Sequence, residues 1–62
     1  MREEVIEIIA ELQDALADIE KVENGSYGFK AAAVRVRKVL LTSSKQLKDV
    51  RKEVQDAKNS HD

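Results

Sequence analysis

The sequence predicts an all-α chain, an antiparallel two-helix hairpin over about 2–23 and 27–59 that dimerises into a four-helix bundle or coiled coil. Three observations carry that expectation. Apolar residues recur at alternating spacings of three and four along two segments, Asn24-Gly25 separates those segments, and no proline interrupts either one. A 37% share of charged residues beside 42% apolar ones fits a helical class and argues against disorder.

In the first segment Val5, Ile8, Leu12, Ala15, Ile19 and Val22 form the seam of an amphipathic helix, and Ile9 and Leu16 widen it. Glu4, Glu7, Glu11, Asp14 and Asp18 flank the seam, so the acids are expected on the outside. Gly25 is placed to close this helix, because glycine tolerates the left-handed conformation at a helix C-terminus. Ser26 is the expected N-cap of the next helix, Gly28 permits a tight entry, and Tyr27 is expected to pack across the loop.

The second segment repeats the seam with Phe29, Ala33, Val36, Leu40, Ser43, Leu47, Val50, Val54 and Ala57. A connection of about four residues folds two long helices back antiparallel, giving one hairpin domain over 1–62. The second helix outruns the first by ~13 Å, leaving Val50, Val54 and Ala57 with little opposite them. Outside the seam, Val34 with Leu41 and Ala32 with Val39 form further apolar rows. The expected cover is a second copy of the chain in a two-fold homodimer, with Val34, Val39, Leu41, Val50 and Val54 at the interface.

A formal net charge of -1 conceals a segregation. Residues 1–28 carry eight acids against the two bases Arg2 and Lys21, whereas the rest of the chain carries nine bases against four acids. The stretch from Phe29 to Lys48 has six bases and no acid. On the second helix Lys30, Arg37, Arg51 and Lys58 fall on one row and Lys38, Lys45 and Lys52 on the next, with Arg35 and Lys48 behind them. These rows are expected to adjoin as a basic stripe, and a stripe along one rigid helix suits the phosphates of a duplex. No aromatic residue is interleaved, which disfavours stacking on single strands. Two readings remain open on the residues alone: polyanion binding, and an ordinary solvated face whose bases pair with the acids of the first helix.

Catalysis finds no support. His61 is the only histidine, in a polar terminal segment, and Ser43 and Ser44 have no activating partner. Ser43, in the seam, is expected to set register or to bond a backbone carbonyl. The carboxylates lack His or Cys companions, there is no cysteine, and no glycine-rich phosphate loop is present, so no metal, cofactor or small-molecule substrate is expected. The N-terminus lacks a basic signal-like region, and no apolar run is long enough for a membrane span. The expectation is a soluble, non-secreted protein that does not engage membranes.

The segment GFKAAAVRVRKVLLTSSKQLKDVRK, from Gly28 to Lys52, resembles the bacterial linker-histone-like family, the chlamydial-type histone-like proteins. Gly28, Lys30, Ala31, Ala32, Arg35, Arg37, Lys38, Arg51 and Lys52 carry the resemblance, and the ending from Lys52 to Asn59 also looks like short members. The resemblance implies a DNA-binding, nucleoid-compacting protein built on a helical hairpin, cytoplasmic and nucleoid-associated, or in virion chromatin if viral. It selects duplex DNA as the expected partner, bound without sequence preference by Lys30, Arg35, Arg37, Lys38, Lys45, Arg51 and Lys52. The competing expectation is a structural oligomerisation or protein-interaction module with no direct nucleic-acid role.

Overall fold

The computed structural model describes residues 1–61. Two helices account for most of them, α1 (Arg2–Asn24) and α2 (Phe29–His61), with no strand among the described residues. Glu3 and Glu4 occupy the first turn of α1, where carboxylates favour the positive end of the helix dipole. Lys58 and His61 lie in the last turn of α2, the favourable end for cations. His61 thus belongs to the helix and not to a tail.

Gly25 ends α1 in the left-handed region, with φ 61° and ψ 30°. Its N–H donates to the Val22 carbonyl at 3.4 Å, and the Ser26 N–H donates to the Lys21 carbonyl at 3.1 Å, the paired bonds of a Schellman cap. The chain then turns through Ser26-Tyr27-Gly28-Phe29. The Phe29 N–H donates to the Ser26 carbonyl at 3.0 Å, and the φ of 83° at Gly28 is what the third position of a type II turn requires. Gly28, not Ser26, caps α2, since its carbonyl accepts the first helical bond from the Ala32 N–H at 3.0 Å. Tyr27 does not pack across the loop; at 102% exposure its ring stands in solvent at the apex.

The helices run antiparallel. Asp18 meets Arg35, Met1 meets Glu53, and Glu4 shares a groove with Asp49, so partners on α2 rise in number as those on α1 fall. Past Glu53, α2 continues alone for about 12 Å at 1.5 Å per residue. The rod measures 53 × 15 × 13 Å. Its radius of gyration, 15.2 Å, exceeds the ~11 Å of a compact domain of this length.

Along α1 the seam is the expected one. Ile8 and Ala15 are buried, Val5, Leu12 and Ile19 half-buried, and Val22 partly exposed at the loop end. Along α2 the seam is turned. Val36, Ser43, Val50 and Ala57 face α1 as expected, but their companions are Ala32, Val39 and Glu53, not Leu40, Leu47 and Val54. This amounts to a rotation of α2 by about 50° from the expected facing. Ala32 is fully buried and Ser43 is 3% exposed, so small side chains occupy the middle of the interface. The Ser43 hydroxyl has no hydrogen-bond partner, neither the backbone carbonyl expected for it nor any other group.

The rotation gives the hairpin two unlike flanks. On one, Asp18 meets Arg35 near the loop, and Glu4, Glu7 and Asp49 share a groove with Gln46 farther along. Helix geometry puts Ile9 and Leu16 of α1, and Leu40, Leu47 and Val54 of α2, on the opposite flank. There Leu12, Leu40 and Leu47 line one groove, and Val5, Ile6, Val50 and Val54 another.

Candidate nucleic-acid interface

The bases selected from the sequence all lie on α2, and all seven are exposed. They do not form one set. Arg35 is turned toward α1 by the rotation of the seam and is held there by Asp18. Its Nε donates to one Asp18 carboxylate oxygen and its Nη2 to the other, both at 2.9 Å. This two-point pairing fixes the guanidinium plane and occupies its fork, so Arg35 joins the two helices and is not free for phosphate.

The pairing leaves a mark on both groups. The hydrogen bonds from Arg35 outweigh the opposing effect of desolvation and, helped by the charges of Arg35 and Lys21, hold the Asp18 carboxyl below the usual carboxylate range. The Arg35 guanidinium is shifted up by the same hydrogen bonds and by the charge of Asp18. Both remain ionised across the physiological range.

Lys30, Arg37, Lys38, Lys45, Arg51 and Lys52 have no carboxylate within 4.0 Å among the described residues. Cross-hairpin pairing with the acids of α1, which the charge pattern allows for many bases, is realised by Arg35 alone. The two basic rows do not adjoin, however. Val34 has Lys30 four residues before it and Arg37 and Lys38 three and four after it, and Leu41 has Arg37, Lys38 and Lys45 at the same spacings. An apolar row of Val34 and Leu41, continued by Lys48, therefore runs between the bases on the side of α2 directed away from α1. A shallow groove lined by Val34, Leu40 and Leu41 with Arg37 and Lys38 records this alternation.

The five residues assigned to an interface between chains divide likewise. Val34, Leu41 and Val54 are exposed, but Val50, at 8% exposure, is covered by the start of α1, and Val39 is half-buried in the seam. The overhang therefore begins later than the sequence implied. Residues the sequence reading passed over are Asp18, as the partner of Arg35, and the exposed Ile6, whereas Ile9, Leu16, Leu40 and Leu47, expected in or beside the seam, stand exposed instead. The signal for the first was present: in an antiparallel pairing centred on the Asn24-Gly25 turn, Asp18 and Arg35 fall level with each other.

Among the described residues no group of three His, Cys, Asp or Glu side chains is placed to hold a metal ion, and no helix is long and apolar enough to cross a membrane. A slender helical hairpin with a base-lined outer face and apolar rows beside it defines a small structural protein that works by contact, through charge and surface. Its kinship agrees. The chain belongs to the histone H1-like protein Hc1 family, whose model matches residues 2–60, and with that family it takes a DNA-binding, histone-like role in chromatin. No curated protein and no solved structure matches the chain.

Proposed function

We propose that the protein binds duplex DNA without sequence preference, through phosphate contacts from the outer side of α2, and compacts the nucleoid as a dimer. The observation that carries the reading is that six of the exposed bases of α2, Lys30, Arg37, Lys38, Lys45, Arg51 and Lys52, have no acidic partner among the described residues of a histone-like chain. Phosphate contacts of this kind position a protein without reading bases, and apart from the arginines there is little among these side chains to read base edges. No aromatic residue stands among the basic rows, and Val34 and Leu41 between them belong to an unbroken helix; bridging or coating by many copies, without a side chain inserted between bases, is the mechanism we expect.

The test is a mobility-shift titration of duplex DNA at several salt concentrations. About six phosphate contacts give a log-log salt slope near -5. Charge reversal at Arg37, Lys38 and Lys45 removes the shift while far-UV helicity stays, and absence of binding at low salt would overturn the reading. The exposed apolar rows favour a second reading, an oligomerisation module without a nucleic-acid role. A chain that self-associates but never shifts DNA would establish it.

A further inference from the structure

Five large side chains of this protein stand outside its own seam. Ile9, Leu16, Leu40, Leu47 and Val54, each between 41% and 60% exposed, lie together on the flank opposite Asp18 and Arg35, whereas three of the five buried positions of the seam are the small Ala15, Ala32 and Ser43, beside Ile8 and Val50. The surface as a whole says the same. The chain exposes 5342 Å², against about 4,000 Å² for a compact monomer of 7.0 kDa. The two-helix part of the rod, about 40 Å of its 53 Å length and 15 Å across, outlines roughly 600 Å², the lower end of what each partner contributes to a specific interface.

We infer that this apolar flank is covered by the same flank of a second copy, with the two-fold axis parallel to the helices, so that α1 of each chain lies on α2 of the other. Two face-to-face arrangements are open to a two-fold dimer. An axis across the helices would set α1 against α1 and α2 against α2, bringing Lys30, Arg37, Arg51 and Lys58, which border the flank, against the same bases of the partner. An axis along the helices instead sets the border of α2 against that of α1, where Glu20 and Glu23 stand level with the Lys30 to Arg37 stretch and Arg2, level with Arg51, is the one base that meets a like charge. Charge complementarity selects the second arrangement.

That choice has a functional consequence, which rests on the DNA reading where the interface itself does not. With the axis along the helices, the two α2 helices occupy diagonal corners, and their outer rows of Lys38, Lys45 and Lys52 point to opposite sides of the bundle. The dimer then holds two duplexes apart and together, a bridge. The other arrangement would merge both α2 faces into one surface for a single duplex.

Cysteine pairing in the full chain decides between them. The register that sets Asp18 level with Arg35 and Met1 level with Glu53 brings Leu16 near Leu40 of the other copy, and Ile9 near Leu47. A mixture of an L16C chain and an L40C chain should oxidise to a covalent species of twice the chain mass, whereas L16C mixed with I9C should not; each chain carries one cysteine, so any bond joins two chains. Crosslinking of L16C with I9C in place of L40C would overturn the arrangement, and a single species of 7.0 kDa for the unsubstituted protein in sedimentation would overturn the interface. For bridging, an immobilised duplex incubated with protein should retain a second, labelled duplex, and Leu47→Asp should abolish retention. DNA binding without retention would refute the two-sided dimer and leave DNA binding standing, whereas crosslinking without any DNA binding would refute only the nucleic-acid reading.

Discussion

The two flanks of the hairpin are built from the same pair of helices and differ in what finishes them. The polar flank is closed within the chain: Asp18 and Arg35 meet at 2.9 Å near the loop, and farther along Glu4 pairs with the N-terminal ammonium at 3.7 Å while Glu7 and Asp49 are left to water. The apolar flank is not closed at all, since Leu16 and Leu40 stand about half exposed with only shallow grooves beside them. A charged pair can be satisfied by one partner and the solvent, but an apolar surface is satisfied only by area. The difference teaches that this chain uses its own fold to set register, and leaves much of its hydrophobic surface for use beyond the hairpin.

That comparison can be broken most severely at the seam both flanks share. Ile8→Ala removes one of the few large side chains buried within the hairpin and should cost about 2–5 kcal/mol, enough to lower the thermal midpoint of far-UV helicity sharply at fixed protein concentration. Retention of the parental midpoint would mean that the seam contributes little. Next, Leu40→Asp places a charge on the open flank and should lower the sedimenting mass and the midpoint together, whereas the same change at Tyr27 should do neither.

A smaller effect, of opposite sign, is expected at Ser43. Its buried hydroxyl lacks a partner, so Ser43→Ala should stabilise by about 1 kcal/mol, and a loss would show that a water satisfies the oxygen. The smallest effect belongs to the polar flank. Because the carboxyl of Asp18 titrates below the ordinary carboxylate range in the folded chain, its contribution is fully present above that range and is lost as pH falls through the lowered value. Asp18→Asn should therefore flatten the acid limb of stability against pH, and an unchanged acid limb would show that the pairing is worth nothing in solution.

How much of this was legible in the sequence depends on the helix. In α1 one row of apolar residues outcompetes the rest, so Val5, Ile8, Leu12, Ala15 and Ile19 identify the buried side unaided. In α2 the row of Leu40, Leu47 and Val54 is more apolar than the row of Ala32, Val39 and Glu53, yet the second one is the more buried and faces α1. Hydrophobicity ranks residues by their need for cover and is silent on which partner supplies it. Small residues at Ala32 and Ser43 admit the neighbouring helix, and the leucines are displaced to the flank. The same turn of about 50° carries Arg35 from the back of the helix to the side of Asp18, which is why one of the seven candidate phosphate ligands is occupied while the other six have no acidic partner among the described residues. The cap at Gly25 was legible because only local backbone conformation decides it; Ser26 misled, because Gly28 supplied a turn that starts the helix later.

The fully exposed ring at the apex has a practical consequence for anyone who would follow this protein by light. Tyr27 is its one tyrosine and it has no tryptophan, so nearly all of its near-ultraviolet signal arises from a side chain already in water before unfolding begins. Melting the seam changes that environment little. Intrinsic fluorescence will thus report a stable baseline while the helices come apart, and the same silence makes Tyr27 a clean site for a reporter dye.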